Sequence, residues 1–137
     1  MKGKNCDAGE YGVNTGRQRR MSWFDAVATG YGCRVQGAAE VALTLLDVLS
    51  YRKQIQICIA YEIEGQRCSA FPTTTELTKA IPIYEMLSGW ICDISDIRNY
   101  DDLPAQAKQY VNRVEELIGV PISSISVGAH RNAIIER

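Results

Sequence analysis

The sequence predicts an α/β protein. Strand-like and helix-like segments alternate along it. One short apolar run reads as a strand covered on both faces, as in a parallel sheet. Later segments alternate with period two around turn residues, as hairpins do.

Residues 1–21 are rich in Gly, Asn and Arg and read as a loop. A helix is expected from Ser22, because Ser22 and Asp25 have the spacing of a capping box. Phe24, Val27, Ala28, Tyr31 and Val35 recur at helical spacing, and Gly37 is a suitable stop. Residues 41–49 are expected to be the covered strand. Residues 54–63 alternate, with Ile55, Ile57, Ile59, Tyr61 and Ile63 on one side. Glu64-Gly65 can turn that strand back into residues 66–71. Thr73 and Glu76 predict a short capped helix ending before Pro82. Residues 83–87 suit another strand. Asp101 or Asp102 is expected to cap the clearest helix, with Pro104 in its first turn. That helix carries the stripe Ala107, Tyr110, Val111, Val114, Leu117 and Ile118, and Gly119 and Pro121 end it. Residues 122–127 and 133–135 close the chain as strands.

The 137 residues fit one domain or one piece of a larger one. Apolar residues make up 46% and charged residues 23%, enough apolar content to build a core, so disorder is disfavoured. The net charge of -1 favours neither nucleic acid nor an anionic membrane as a partner. No apolar run is long enough to cross a bilayer, and the polar first residues lack the apolar centre of a signal peptide. Cys6, Cys33, Cys58, Cys68 and Cys92 contain no C-x-x-C pair, and there is one histidine. A zinc site is therefore poorly supported, and reduced cysteines in a cytoplasmic protein are expected. Trp23 and Trp90 read as core or interface residues.

Three places could carry chemistry. The first is the loop Gly12, Val13, Asn14, Thr15, Gly16, Arg17, Gln18, Arg19, Arg20, which runs towards a helix N-terminus. Backbone N–H groups, the helix dipole and planar guanidiniums all suit carboxylate or phosphate. A solvated basic loop, or a chance nucleic-acid patch, explains the same residues about as well. The second is Thr44-Leu45-Leu46-Asp47, where a carboxylate ends the covered strand. Open α/β sheets place ligand contacts there. One carboxylate can accept both N1–H and the 2-amino group of guanine, a donor pair that adenine lacks. An ordinary turn aspartate is the plainer alternative. The third is Ser126-Val127-Gly128, where a small loop could approach a base or ribose. His130 could in principle titrate near neutrality, but no orienting partner is visible.

These pieces occur in an order that resembles the adenylosuccinate synthetases. The matching stretches include Gly9-Glu10-Tyr11-Gly12, Thr15-Gly16-Arg17-Gln18-Arg19-Arg20, Trp23-Phe24-Asp25-Ala26-Val27 and Leu43-Thr44-Leu45-Leu46-Asp47-Val48-Leu49. They continue through Ile83-Tyr84-Glu85, Gly89-Trp90, Arg113-Val114-Glu115-Glu116-Leu117, Gly119-Val120-Pro121-Ile122 and Ser126-Val127-Gly128.

The resemblance implies the C-terminal part of the family's fold, which is P-loop-containing nucleotide hydrolase-like: a mixed sheet with flanking helices, truncated on the N-terminal side. On that reading the chain is a single partial domain, with residues 1–21 as substrate-binding loop and 22–137 as α/β body. The family is a cytoplasmic, homodimeric ligase of purine biosynthesis that joins L-aspartate to inosine monophosphate (IMP), using GTP and Mg2+. Val13, Asn14, Thr15, Gly16, Arg17, Gln18 and Arg19 would form the mobile loop that closes over aspartate. Arg17 would also touch IMP, and Arg19 would reach the GTP phosphates. Leu45, Leu46, Asp47, Ser126, Val127 and Gly128 would surround guanosine. The resemblance implies no catalytic residue and no metal ligand in this chain, since no Gly-Asp-Glu-Gly-Lys-Gly-Lys segment occurs in it. An isolated chain of this kind is expected not to turn over. The alternative is a catalytically inactive GTP-binding or partner-binding remnant. Asn14, Gln18, Ser22, Leu45 and Ala129 depart from the residues usual in the family, Leu45 standing where a Lys is usual.

Overall fold

The computed structural model describes residues 11, 12, 14–17 and 21–137. Two small mixed sheets share one core with two helices. The first sheet is built on β3 (Gln54–Ile63). Along one side of β3 runs β5 (Ile81–Ser88), antiparallel. The other side is shared by β1 (Phe24–Asp25), parallel at Ile57 and Cys58, and β4 (Gln66–Cys68), antiparallel at Tyr61 to Ile63. The second sheet pairs β2 (Val41–Leu43) in parallel with β6 (Ile122–Ser126), which pairs in turn with antiparallel β7 (Ile134–Glu136).

Most predicted elements form, with informative differences. Glu64 and Gly65 both take positive φ, 52° and 81°, as the tight turn of a two-residue hairpin requires. Thr73 and Glu76 make the expected capping box ahead of α2 (Thr74–Leu77). Helix α3 (Ala105–Ile118) buries Ala107, Tyr110, Val111, Val114 and Ile118 and stops at left-handed Gly119. Asp101 and Asp102 do not cap it. They lie in a 3-10 turn, Tyr100–Asp102, and Pro104 occupies the cap position.

Helix α1 (Ala26–Gln36) starts later than Ser22. Residues 24 and 25 are extended because they pair with β3, so Asp25 is the cap, and the Ser22 hydroxyl donates only to the neighbouring Trp23 carbonyl. The helix also turns a different face inward. Ala26, Val27, Gly30 and Cys33 are buried, while Tyr31 and Val35 are exposed. Gly30 lies against Ile118, where a Cβ would meet backbone at 3.4 Å, so its small size lets α1 and α3 approach.

The covered strand 41–49 is the largest correction. Only Val41–Leu43 is a strand. Leu45 takes φ 56°, and Leu46–Leu49 coil into a 3-10 turn. A parallel strand cannot continue through a left-handed residue, so the apolar run divides into β2 and a turn that inserts Leu46 in the core.

The core joins both sheets. Ile55 and Ile57 from the first and Ile122, Ile125 and Ile135 from the second pack with α3 and Trp90. Trp90 donates its ring N–H to buried Ser50 at 3.2 Å. The preceding Gly89 passes so close to the turn at residue 52 that a Cβ would sit 1.8 Å from the Arg52 carbonyl oxygen. The edge strand β5 leaves Ile81, Tyr84 and Met86 exposed. No described helix is long and apolar enough to cross a membrane.

Candidate functional site

Parallel pairing of β2 with β6 brings two of the three candidate segments together. Leu43 pairs with Ile125, so the residues that follow each strand emerge side by side. This is the carboxyl end of a parallel pair, where α/β sheets gather ligand contacts. The Ser126 side chain ties the two segments. Its Oγ accepts the Leu45 N–H at 3.3 Å and donates to the Gly128 carbonyl at 2.9 Å. The β6–β7 loop is braced by Val127 N–H to the Ala133 carbonyl at 2.9 Å.

Asp47 lies in the first turn of the 3-10 segment. Its Oδ1 is buried and has no hydrogen-bond partner. Burial raises the carboxyl pKa, its own backbone amide offsets this in part, and the nearby Asp93 carboxylate raises it further. A buried acceptor with no donor is costly to keep. Of the other residues expected here, Leu46 and Val127 are 1% and 0% exposed and belong to the core. Only their backbones are available to a ligand. Leu45, Ser126 and Gly128 are half-buried.

The basic loop has a different construction. Gly12 N–H donates to the Arg17 carbonyl at 2.8 Å, and the Gly12 carbonyl accepts from Gly16 at 2.8 Å and from Thr15 at 3.3 Å. Thr15 Oγ1 accepts the Arg17 N–H at 3.4 Å. A Cβ at position 12 would stand 2.8 Å from that Oγ1, and Gly16 has φ +60°, so both glycines belong to this turn. Asn14, Thr15, Gly16 and Arg17 are exposed. Val13, Gln18, Arg19 and Arg20 lie outside the described residues.

Arg17 and Asp47 do not touch. What joins the two regions is the loop's exit. Met21, Ser22, Trp23 and Phe24 face residues 43–46, 48 and 49 across a cleft of about 220 Å³ floored by Tyr110. Arg52, Met21 and Trp23 line its continuation. Neither Arg17 nor Asp47 is in this lining. Sequence reasoning missed Met21 and Arg52 because isolated apolar and basic residues in loops carry no spacing signal.

His130 is exposed on the β6–β7 loop, and its carbonyl accepts from Ala133. Among the described residues no three His, Cys, Asp or Glu side chains gather as a metal ion would require. Cys33, Cys58, Cys68 and Cys92 are free thiols.

The family model of adenylosuccinate synthetase matches residues 3–135. The chain belongs to this family. An adenylosuccinate synthetase of Thermomicrobium roseum is 50% identical over 129 residues, which are 93% of this chain and 30% of that relative. One from Mycobacterium marinum is 51% identical over 130 residues, again covering 30% of the relative. The chain thus spans about a third of the length of the synthetases it matches. A solved structure of fully ligated adenylosuccinate synthetase from Plasmodium falciparum superposes with a TM-score of 0.90 at 32% identity, over 98% of this chain and 34% of that one. The mixed α/β architecture is therefore that of the corresponding part of the synthetase fold.

Proposed function

We propose that this chain supplies guanine recognition and aspartate binding for the GTP-dependent joining of L-aspartate to IMP. Asp47 carries the reading. Its half-buried carboxylate stands just past the carboxyl ends of two parallel strands, next to the turn that Ser126 ties to Leu45. An ionised carboxylate there accepts N1–H and the 2-amino group of guanine together. Adenine offers no such pair, and a buried acceptor left unmatched costs about 1–3 kcal/mol, which is roughly ten- to hundredfold in affinity. Leu45 covers the base edge, and the backbone at Gly128 approaches the ribose.

In the same reading Thr15 and Arg17 hold the carboxylates of aspartate, Arg17 also reaches IMP, and Arg19 reaches the GTP phosphates. Guanidiniums are suited to this by their paired planar donors. Once the oxygen at C6 of the purine is phosphorylated, a fixed aspartate presents its amine to that carbon and phosphate leaves. The chain's part in this is positioning and charge. Residues that transfer the phosphoryl group are assigned to parts of the family not matched by this chain. Its own incubation with IMP, aspartate, GTP and Mg2+ should give no adenylosuccinate.

Calorimetric titration tests the reading. GTP should bind at least tenfold more tightly than ATP, and Asp47→Ala should abolish the difference. Equal affinity for the two nucleotides, or no binding of either, would overturn it.

A further inference from the structure

Asp25 uses both carboxylate oxygens and its carbonyl. Oδ1 accepts the Ala28 N–H at 2.9 Å and caps α1. Oδ2 accepts the Tyr61 hydroxyl at 2.5 Å. The Asp25 carbonyl accepts the Thr29 hydroxyl at 2.7 Å. Phe24 and Asp25 are also paired to Ile57 and Cys58 of β3. The loop's exit is thus riveted immediately after the cleft-lining residues 21–24.

Tyr61 reaches Asp25 because β3 is irregular. Unbroken alternation would put Tyr61 on the side of Ile57, within the main core. The register slips between Cys58 and Ala60, leaving Ile59 without a partner on β5. Beyond this bulge Tyr61 packs with Cys58 and Val27 instead. Bulges commonly re-aim a side chain near a site. Burial and the Asp25 carboxylate hold the phenol well above the usual tyrosine range, so it stays a donor at any ordinary pH.

We infer that Tyr61 is a positioning residue for the ligand loop: acting through Asp25, it fixes where residues 21–24 face residues 43–46, 48 and 49 across the cleft. Tyr61 touches no ligand in this scheme. The inference rests on the proposed role of Thr15 and Arg17 in holding aspartate.

The test uses the 137-residue chain and Tyr61→Phe, which keeps the ring and removes only the donor. Amide hydrogen exchange at Trp23, Phe24 and Ala28 should quicken about tenfold, while the β6 amides of Ile122 and Ile125 keep their wild-type rates. The dissociation constant for L-aspartate should rise about tenfold and that for GTP stay within about twofold. Asp25→Asn should weaken aspartate binding too, and adding Tyr61→Phe to it should cost much less than Tyr61→Phe costs alone, as expected for one coupled pair. Unchanged exchange at residues 23–28, equal losses for aspartate and GTP, or additive effects of the two substitutions would each overturn the inference. Failure of the underlying reading looks different: the wild-type chain would then bind no aspartate, whereas the exchange rates would still report on the anchor.

Discussion

The two ends of β6 treat a carboxylate in opposite ways. At the start of the strand, Glu115 of α3 accepts the Ile122 N–H at 2.7 Å and is paired with Arg137. Arg137 reaches on to Asn112 at 2.8 Å and lies over the Tyr100 ring. At the other end, Ser126 opens a turn beside Asp47, whose buried Oδ1 has no donor. One end uses its charge to close the fold. The other keeps a buried acceptor unmatched, at a cost to the fold.

Breaking the closed end should have the largest effect on stability. Glu115→Ala strands the Ile122 amide and removes the carboxylate paired with Arg137, and should cost about 1–3 kcal/mol in urea denaturation. Acid should separate the two ends by sign. The Ile122 N–H holds the Glu115 pKa below 4.5, against burial, with help from Arg137. Its contribution is therefore complete above 4.5 and is lost as pH falls through the lowered value. Asp47 is raised above 3.8 by burial. Its charged form burdens the folded state, so this end gains stability as pH falls from neutral through the raised value. Denaturation curves over that range should show the gain disappear in Asp47→Asn, and the acid loss shrink in Glu115→Gln. The same slope in Asp47→Asn as in the wild type would contradict the contrast.

A smaller effect is expected from Leu45→Gly. Leucine at φ 56° is strained, and glycine relieves more than its added unfolded-state entropy takes away. Loss of the half-buried side chain works against that relief, so the net change should stay within about 1 kcal/mol by the same assay, against a clear loss if the strain is absent.

Legibility followed how local each cause was. The capping box at Thr73, the Glu64-Gly65 turn, the stripe of α3 and the glycine stops at 37 and 119 depend on neighbours a few residues away, and they formed as read. The residues after Leu43 were misread because an apolar run looks the same as a strand or as a tight coil over a core. Only Ser126, 81 residues away, shows why the chain turns at Leu45. The cap at Asp25 was hidden for a similar reason, since pairing with β3 delays the helix. Asp47 and Ser126 stood out in the sequence as candidates by residue type alone. That the segments following Leu43 and Ile125 emerge side by side came from the β2–β6 register, which no local pattern encodes.

Gly89 has a consequence for anyone scanning this chain by saturation mutagenesis. Alanine would drive a methyl group into the Arg52 carbonyl, and this bears on the turn holding Ser50 against Trp90, close behind the turn that carries Asp47. Every replacement at position 89 should therefore disturb the fold and lower any binding signal with it. That loss would come from a displaced wall, and a map of binding hot spots should leave the position blank.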